Sequence, residues 1–266
     1  MTEPFTFDYK KLSDRARKDN ILARMGDLFL KDFGLIPCIG VEIEFYLPGD
    51  DLSGAPFVIK QEKGKFQYEI DLPPLQDMDL CAEEIEAAKE SLASWNSGVD
   101  FSSKPFMDDY GSAMHFHLNF LTAEGKNYFD DNAVLELAAR SLCHYMLPAF
   151  MIFAPKEEDY KRFDHKFMAP NYVSFGGNNR SVAVRIPSLV PKRLEHRICS
   201  PTADSYLAIF VILKSIYLGL KDPEHIDAYD KIYGNAFDAQ YNLTPFPKDL
   251  KEALEMFDEH LTRIKD

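Results

Sequence analysis

The sequence predicts an α+β fold: an antiparallel β-sheet with one charged face, packed by helices. Four short segments alternate apolar residues with Glu, Gln, His or Arg, the period of a strand buried on one side only. Between them, longer segments repeat apolar residues at three- and four-residue spacing, the period of an amphipathic helix. At 266 residues and 46% hydrophobic content, the chain can bury a sizeable core. With no repeat, low-complexity tract or long linker, residues 1–266 read as one domain.

In chain order, Ile21, Leu22, Met25, Leu28 and Phe29 have helical spacing, and Gly34 supplies a left-handed stop. The segment CIGVEIEFYLPG alternates after Val41 and ends at the turn Pro48-Gly49, which predicts a strand. Gly49 to Gly64 lacks periodicity and is expected to be a loop or hairpin, and KFQYEI follows as a second strand. Helices are expected over Glu83 to Trp95 and Val134 to Met146, with the strand GSAMHFHLNF between them. RLEHRI is the fourth strand. The apolar stretch Tyr206 to Leu220 is broken by Lys214 and is shorter than the roughly 20 residues of a membrane span, so a buried helix is expected, with Pro201 in its first turn. Leu250, Leu254, Phe257, Leu261 and Ile264 predict one closing helix, entered through Thr244-Pro245-Phe246-Pro247.

The composition narrows the function. A net charge of −13 argues against nucleic-acid binding, which concentrates Lys and Arg. The acidic run Glu83, Glu84, Glu86 reads as a solvated helix face. Cys38, Cys81, Cys143 and Cys199 lack the paired spacing of a zinc or redox motif and read as reduced thiols. Met1 to Asp8 carry no basic segment followed by an apolar stretch, so a cytoplasmic protein with no membrane association is expected.

The strands carry the chemistry. Side chains alternate between the faces of a strand, so Glu42 and Glu44 share one face while Ile43 and Phe45 share the other. His115 and His117 do the same, as do Gln67 with Glu69, and Arg193, Glu195 and Arg197. Neighbouring carboxylates repel unless a cation lies between them. Carboxylate-rich ligation with imidazole favours Mg²⁺ or Mn²⁺ over structural zinc. Arg180, Arg185, Arg193 and Arg197 fall close together, and guanidinium forks match phosphate and carboxylate oxygens. Walker and Rossmann glycine loops are absent, as are nucleophile signatures of the Ser-His-Asp type. The combination points to a site for nucleotide and metal.

The blocks VEIEFYL, EKGKFQYEI, GSAMHFHL, YKRF, NNRSVAVRIP and RLEHRICSPTADSYL occur in that order and resemble the signature blocks of glutamine synthetase catalytic domains. The resemblance covers Ser13 to Leu220 well and the tail more loosely; no part matches the family's N-terminal β-grasp domain. It implies a curved sheet with a concave charged face, an architecture shared with guanido kinases. It implies two divalent-metal sites, one held by Glu44, Glu62 and Glu69 and the other by Glu42, His115 and Glu195. It places His117, Arg180, Arg185 and Arg193 around the phosphates of ATP, and Gly111, Arg162 and Arg197 around glutamate, with Arg180 and Arg162 the catalytic arginines.

The implied reaction is phosphoryl transfer from ATP to the glutamate side-chain carboxylate, followed by attack of ammonia or a small amine on the acyl phosphate. Family members that use ammonia have a glutamate two positions before the flap proline; here it is Met168, before Ala169-Pro170. Tyr110 stands where the family commonly has asparagine, Asn119 where a serine often follows, Asp164-His165-Lys166 replaces the flap's Pro-Gly turn, and Gly64-Lys65-Phe66 replaces a Gly-Pro-Gly element. Lacking the β-grasp domain, the chain is expected to form a homo-oligomer other than the standard dodecamer, if any. Two other readings are a non-catalytic or regulatory homologue that retains nucleotide and metal, and a phosphotransferase with a guanidino or carboxylate acceptor.

Overall fold

The computed structural model describes residues 8–49 and 51–264; the first seven residues, part of the segment searched for a leader, lie outside them. Among the described residues eight strands form one sheet in the order β2-β3-β1-β4-β7-β6-β5-β8. They are β1 (Leu35–Tyr46), β2 (Lys60–Gln61), β3 (Gln67–Leu75), β4 (Met114–Thr122), β5 (Phe175–Gly177), β6 (Val184–Ile186), β7 (Leu194–Cys199) and β8 (Lys231–Ile232). The run from β2 to β6 is antiparallel. The expectation of an antiparallel sheet fails at the other edge, where β5 pairs in parallel with both β6 and β8. These strands have only two or three residues, too few for a legible alternation.

Among the described residues seven α-helices accompany the sheet: α1 (Tyr9–Lys18), α2 (Ile21–Phe33), α3 (Met78–Trp95), α4 (Asn132–His144), α5 (Phe150–Phe153), α6 (Ser205–Lys221) and α7 (Leu250–Met256). α2 ends at Gly34, whose φ of 67° is the left-handed conformation expected there. α1 was not anticipated: only Leu12, Ser13 and Ala16 of its ten residues are buried, and only two of these are apolar. Pro201 lies in the turn before α6 rather than in its first turn; the helix is capped instead by Asp204, whose carboxylate accepts from Leu207 N–H at 2.9 Å. The predicted closing helix is broken. α7 stops at Met256, Asp258 N–H turns away to donate to Pro148 O, and Asp258 caps a separate 3₁₀ turn over Glu259–Thr262.

One large apolar cluster joins the sheet to the helices. Ile39, Val41, Ile43 and Phe45 of β1 pack there with Met114, Phe116, Leu118 and Phe120 of β4, Leu194 and Ile198 of β7, and the almost wholly buried α6. His196 shares this apolar face: it is 1% exposed, lies 4.5 Å from the Phe153 ring centre, and burial pushes its pKa down to about 3. It is therefore a neutral core residue. With one face of the central strands committed to the helices, the other is left for polar side chains.

Asp204 ties the ends of this packing together, accepting also from Ser13 Oγ at 2.5 Å and Arg17 at 3.0 Å. Asp204→Ala is expected to cost about 2 kcal/mol, lowering Tm by about 4–8 °C for a chain of this size. Calorimetry checks this; an unchanged Tm would show the cap to be immaterial.

Candidate active site

The register places the charged residues in rows across the polar face. Glu44 lies opposite Glu69, and Glu42 lies between Asp71 on β3 and His115 on β4. His117 lies opposite Glu195, which in turn lies opposite Arg185 on β6. Cross-strand partners share a face, so five strands deliver their polar side chains to one surface.

Most of these side chains border a cavity of about 290 Å³. Glu42, Glu44, Glu62, Glu69, Gly111, His115, Arg162, Arg180, Arg185, Glu195 and Arg197 all line it. Two sequence-predicted residues do not: His117 and Arg193 line a neighbouring cavity of about 620 Å³, to which Glu42 also contributes. Arg193 precedes β7 rather than belonging to it, and its Nε donates to His117 Nδ1 at 3.2 Å. The second cavity is walled by Val41, Leu72, Leu118, Val190 and Pro191 among others.

The carboxylates are held in different ways. Glu42 Oε2 is 3.2 Å from His115 Nδ1, and its Oε1 is 2.9 Å from His117 Nε2, although that pair is out of hydrogen-bonding alignment. Burial pushes the Glu42 carboxyl up, but the two histidines outweigh it and hold it far below the usual range. Glu195, 1% exposed, accepts from Arg185 at 2.7 Å and from Arg197. Burial opposes its ionisation, yet Arg197, His115, His117 and Arg185 bring it down to about 2. Glu44 accepts from Ala113 N–H at 2.7 Å, and burial raises it. Glu69 is pushed up to about 8 by burial and by repulsion from Glu42, Glu62, Glu44 and Asp71.

The arginines are under-satisfied. Nε of Arg162, Arg185 and Arg197 is buried with no acceptor among the described residues, a costly state that an anionic ligand relieves. Burial brings the 2%-exposed Arg162 down to about 10. Arg180 is exposed at the rim. Gly111 is fixed by space: a Cβ there would meet Arg162 Cβ at 2.7 Å and Ser103 O at 2.8 Å. Met168 lines the cavity with a left-handed φ of 59°, beside Phe167, whose ring stacks edgewise on Tyr110.

Four contributors were missed in the sequence. Asp71 continues the alternation of Glu69 onto the same face, a signal that was legible. Lys60 and Lys63 line the cavity from and beside the two-residue β2, which has no readable period. Asp159, fully buried, accepts from Ser103 and Ser200 at 2.6 and 2.8 Å and from Lys156 N–H, near Arg162 in the chain. Three distant segments meet there, leaving no local pattern.

Chemically, this is a site that can hold hard divalent cations against crowded carboxylates and phosphate or carboxylate oxygens against guanidinium groups. The donor set fits such ions, since Glu44 and Glu69 resist ionisation without a counter-charge. The family model of the glutamine synthetase catalytic domain matches residues 55–266, and the chain belongs to the glutamine synthetase family.

Glutamine synthetase of Pyrococcus woesei is 29% identical over 229 residues, 80% of this chain and 51% of that protein. Gamma-glutamylputrescine synthetase PuuA of Escherichia coli (strain K12) is 29% identical over 303 aligned positions, 92% of this chain and 63% of that protein. Among solved structures, a GmaS/ADP complex matches with a TM-score of 0.75 at 21% identity, over 91% of this chain and 67% of that one, a likeness of fold. The chain thus spans between about half and under two thirds of these two curated relatives. Among the described residues, no helix is long and apolar enough to cross a membrane.

Because Glu69 binds its proton more tightly folded than unfolded, its protonation favours folding fully below the ordinary carboxylate pKa. That contribution is lost as pH rises towards about 8. Glu69→Gln is therefore expected to raise the Tm of chelator-treated protein at pH 8. It should also remove most of the stabilisation by Mg²⁺ or Mn²⁺, about 2.7 kcal/mol for wild type at a hundredfold excess over Kd. Thermal unfolding with chelator and with metal checks both signs; equal metal stabilisation in the two proteins would contradict the reading.

Proposed function

We propose that residues 1–266 form one catalytic domain of an ATP- and divalent-metal-dependent ligase. It makes an amide at the glutamate side-chain carboxylate through an acyl phosphate. The observation that carries this is that Glu42, Glu44, Glu62, Glu69, His115 and Glu195 line one cavity, together with the under-satisfied Arg162, Arg185 and Arg197. In this reading Glu44, Glu62 and Glu69 hold one Mg²⁺ or Mn²⁺, and Glu42, His115 and Glu195 the other. When bound, the ions supply charge neutralisation between two anions that would otherwise repel.

The larger cavity, with apolar walls beside His117 and Arg193, suits a nucleoside with its phosphates. Glu42, shared by both cavities, marks where the terminal phosphate would meet glutamate. Arg162, Arg197 and the close-packed backbone at Gly111 hold the glutamate, while Arg180 and Arg185 complement charge on the transferring phosphoryl group. Confinement keeps carboxylate and phosphate in line. Phosphorylation turns a poor leaving oxygen into a good one, and amine attack expels phosphate.

The acceptor is ammonia or a small primary amine. Met168 has no proton acceptor to offer an ammonium ion, and Tyr110, Phe167, Ala169 and Pro170 give the entrance an apolar lining. The same methionine supports a second reading, a regulatory homologue that binds nucleotide and metal without turnover. Phosphate release measured with ATP, Mg²⁺ or Mn²⁺ and glutamate, against ammonia and a panel of amines, separates the two. We expect release that requires glutamate and rises with an acceptor. Arg180→Ala, at an exposed position, is expected to lower kcat by about 10²–10³-fold without loss of fold. Nucleotide binding with no turnover for any acceptor would favour the regulatory reading.

A further inference from the structure

Lys60 opens β2 and is the cross-strand partner of Glu69. Its ammonium is ion-paired with Asp71 and lies 3.6 Å from Glu69 Oε1. Glu42, Glu69 and Asp71 each place a carboxylate oxygen within 4.8 Å of the others, so the ammonium sits at the edge of an acidic cluster that includes two of the proposed metal ligands. Its side chain is 51% exposed, anchored only through a flexible stem, and it lines the same cavity as those ligands. Asp71, 45% exposed, lies at the outer side of the cluster.

We propose that Lys60 is a tethered cation that competes with the divalent ion for Glu69, with Asp71 as the resting place to which it withdraws. The inference rests on the metal reading above and adds a residue that sets metal affinity from outside the ligand set. A carboxylate oxygen coordinated to a divalent ion has little charge left for a neighbouring ammonium, and the two cations repel across a few ångströms. Loading the ion therefore costs part of the Lys60–Glu69 attraction. Without the ion, the ammonium offsets some of the repulsion within the cluster. Lysine suits this role because its ammonium is a compact point charge on four rotatable carbons.

Mn²⁺ affinity, read by electron paramagnetic resonance of the free ion, tests this together with thermal unfolding of chelator-treated protein. Lys60→Met keeps the stem and removes the charge. It is expected to bind Mn²⁺ about three- to fivefold more tightly at low ionic strength, as suits a half-exposed pair, with the difference shrinking in high salt. Its chelator-treated form is expected to unfold at a lower temperature than wild type. Lys60→Arg, which keeps the charge, should stay near wild type in both readouts. Unchanged or weaker Mn²⁺ binding by Lys60→Met, with wild type binding normally, overturns this inference alone. No Mn²⁺ binding by wild type overturns the metal reading and this inference with it.

Discussion

Mutual repulsion among carboxylates on one face of a sheet is the constraint around which this molecule is organised. Glu42, Glu44, Glu69 and Glu195 come from three of the four consecutive strands β3-β1-β4-β7. Each is kept in place by a different compensation. Histidines serve Glu42, arginines serve Glu195, a backbone N–H serves Glu44, and Glu69, crowded by its neighbours, resists ionisation. The first two compensations favour the charged form and the last concedes the neutral one. A hard cation bound on the Glu44 and Glu69 side would have to displace protons, so its affinity there would rise with pH.

The fold tolerates this face because the opposite one is so thoroughly buried. The same β1 residues that alternate with Glu42 and Glu44 insert into the core with α6, whose buried length explains why its Lys214 did not mark a surface helix. His196 shows the division most clearly: between Glu195 and Arg197 in the chain, it faces the core as a neutral ring while its neighbours form an ion pair on the far side.

Much of this was legible from residue order alone. Alternation in VEIEFYL, KFQYEI, MHFHL and LEHRI identifies four strands with a chemically unusual face, and those four are consecutive in the sheet as β3-β1-β4-β7. Their order is not legible, since β1 pairs with two partners that follow it at different distances in the chain. Glu62 and Arg162 lie in a loop and a 3₁₀ turn without periodicity; only the family resemblance singled them out. The break after Met256 escaped notice because Phe257 and Leu261 keep helical spacing even where the backbone leaves the helix. Asp159 was hidden for the opposite reason, its partners Ser103 and Ser200 being far away in sequence.

In the function proposed, this face holds two divalent ions per chain between nucleotide and glutamate. Equilibrium dialysis against Mn²⁺ with ADP present counts them directly. Two ions per chain are expected in wild type, with a loss of one in Glu195→Ala and the fold intact. Folded wild-type chain that retains no Mn²⁺, or a Glu195→Ala variant that retains both ions, would contradict it.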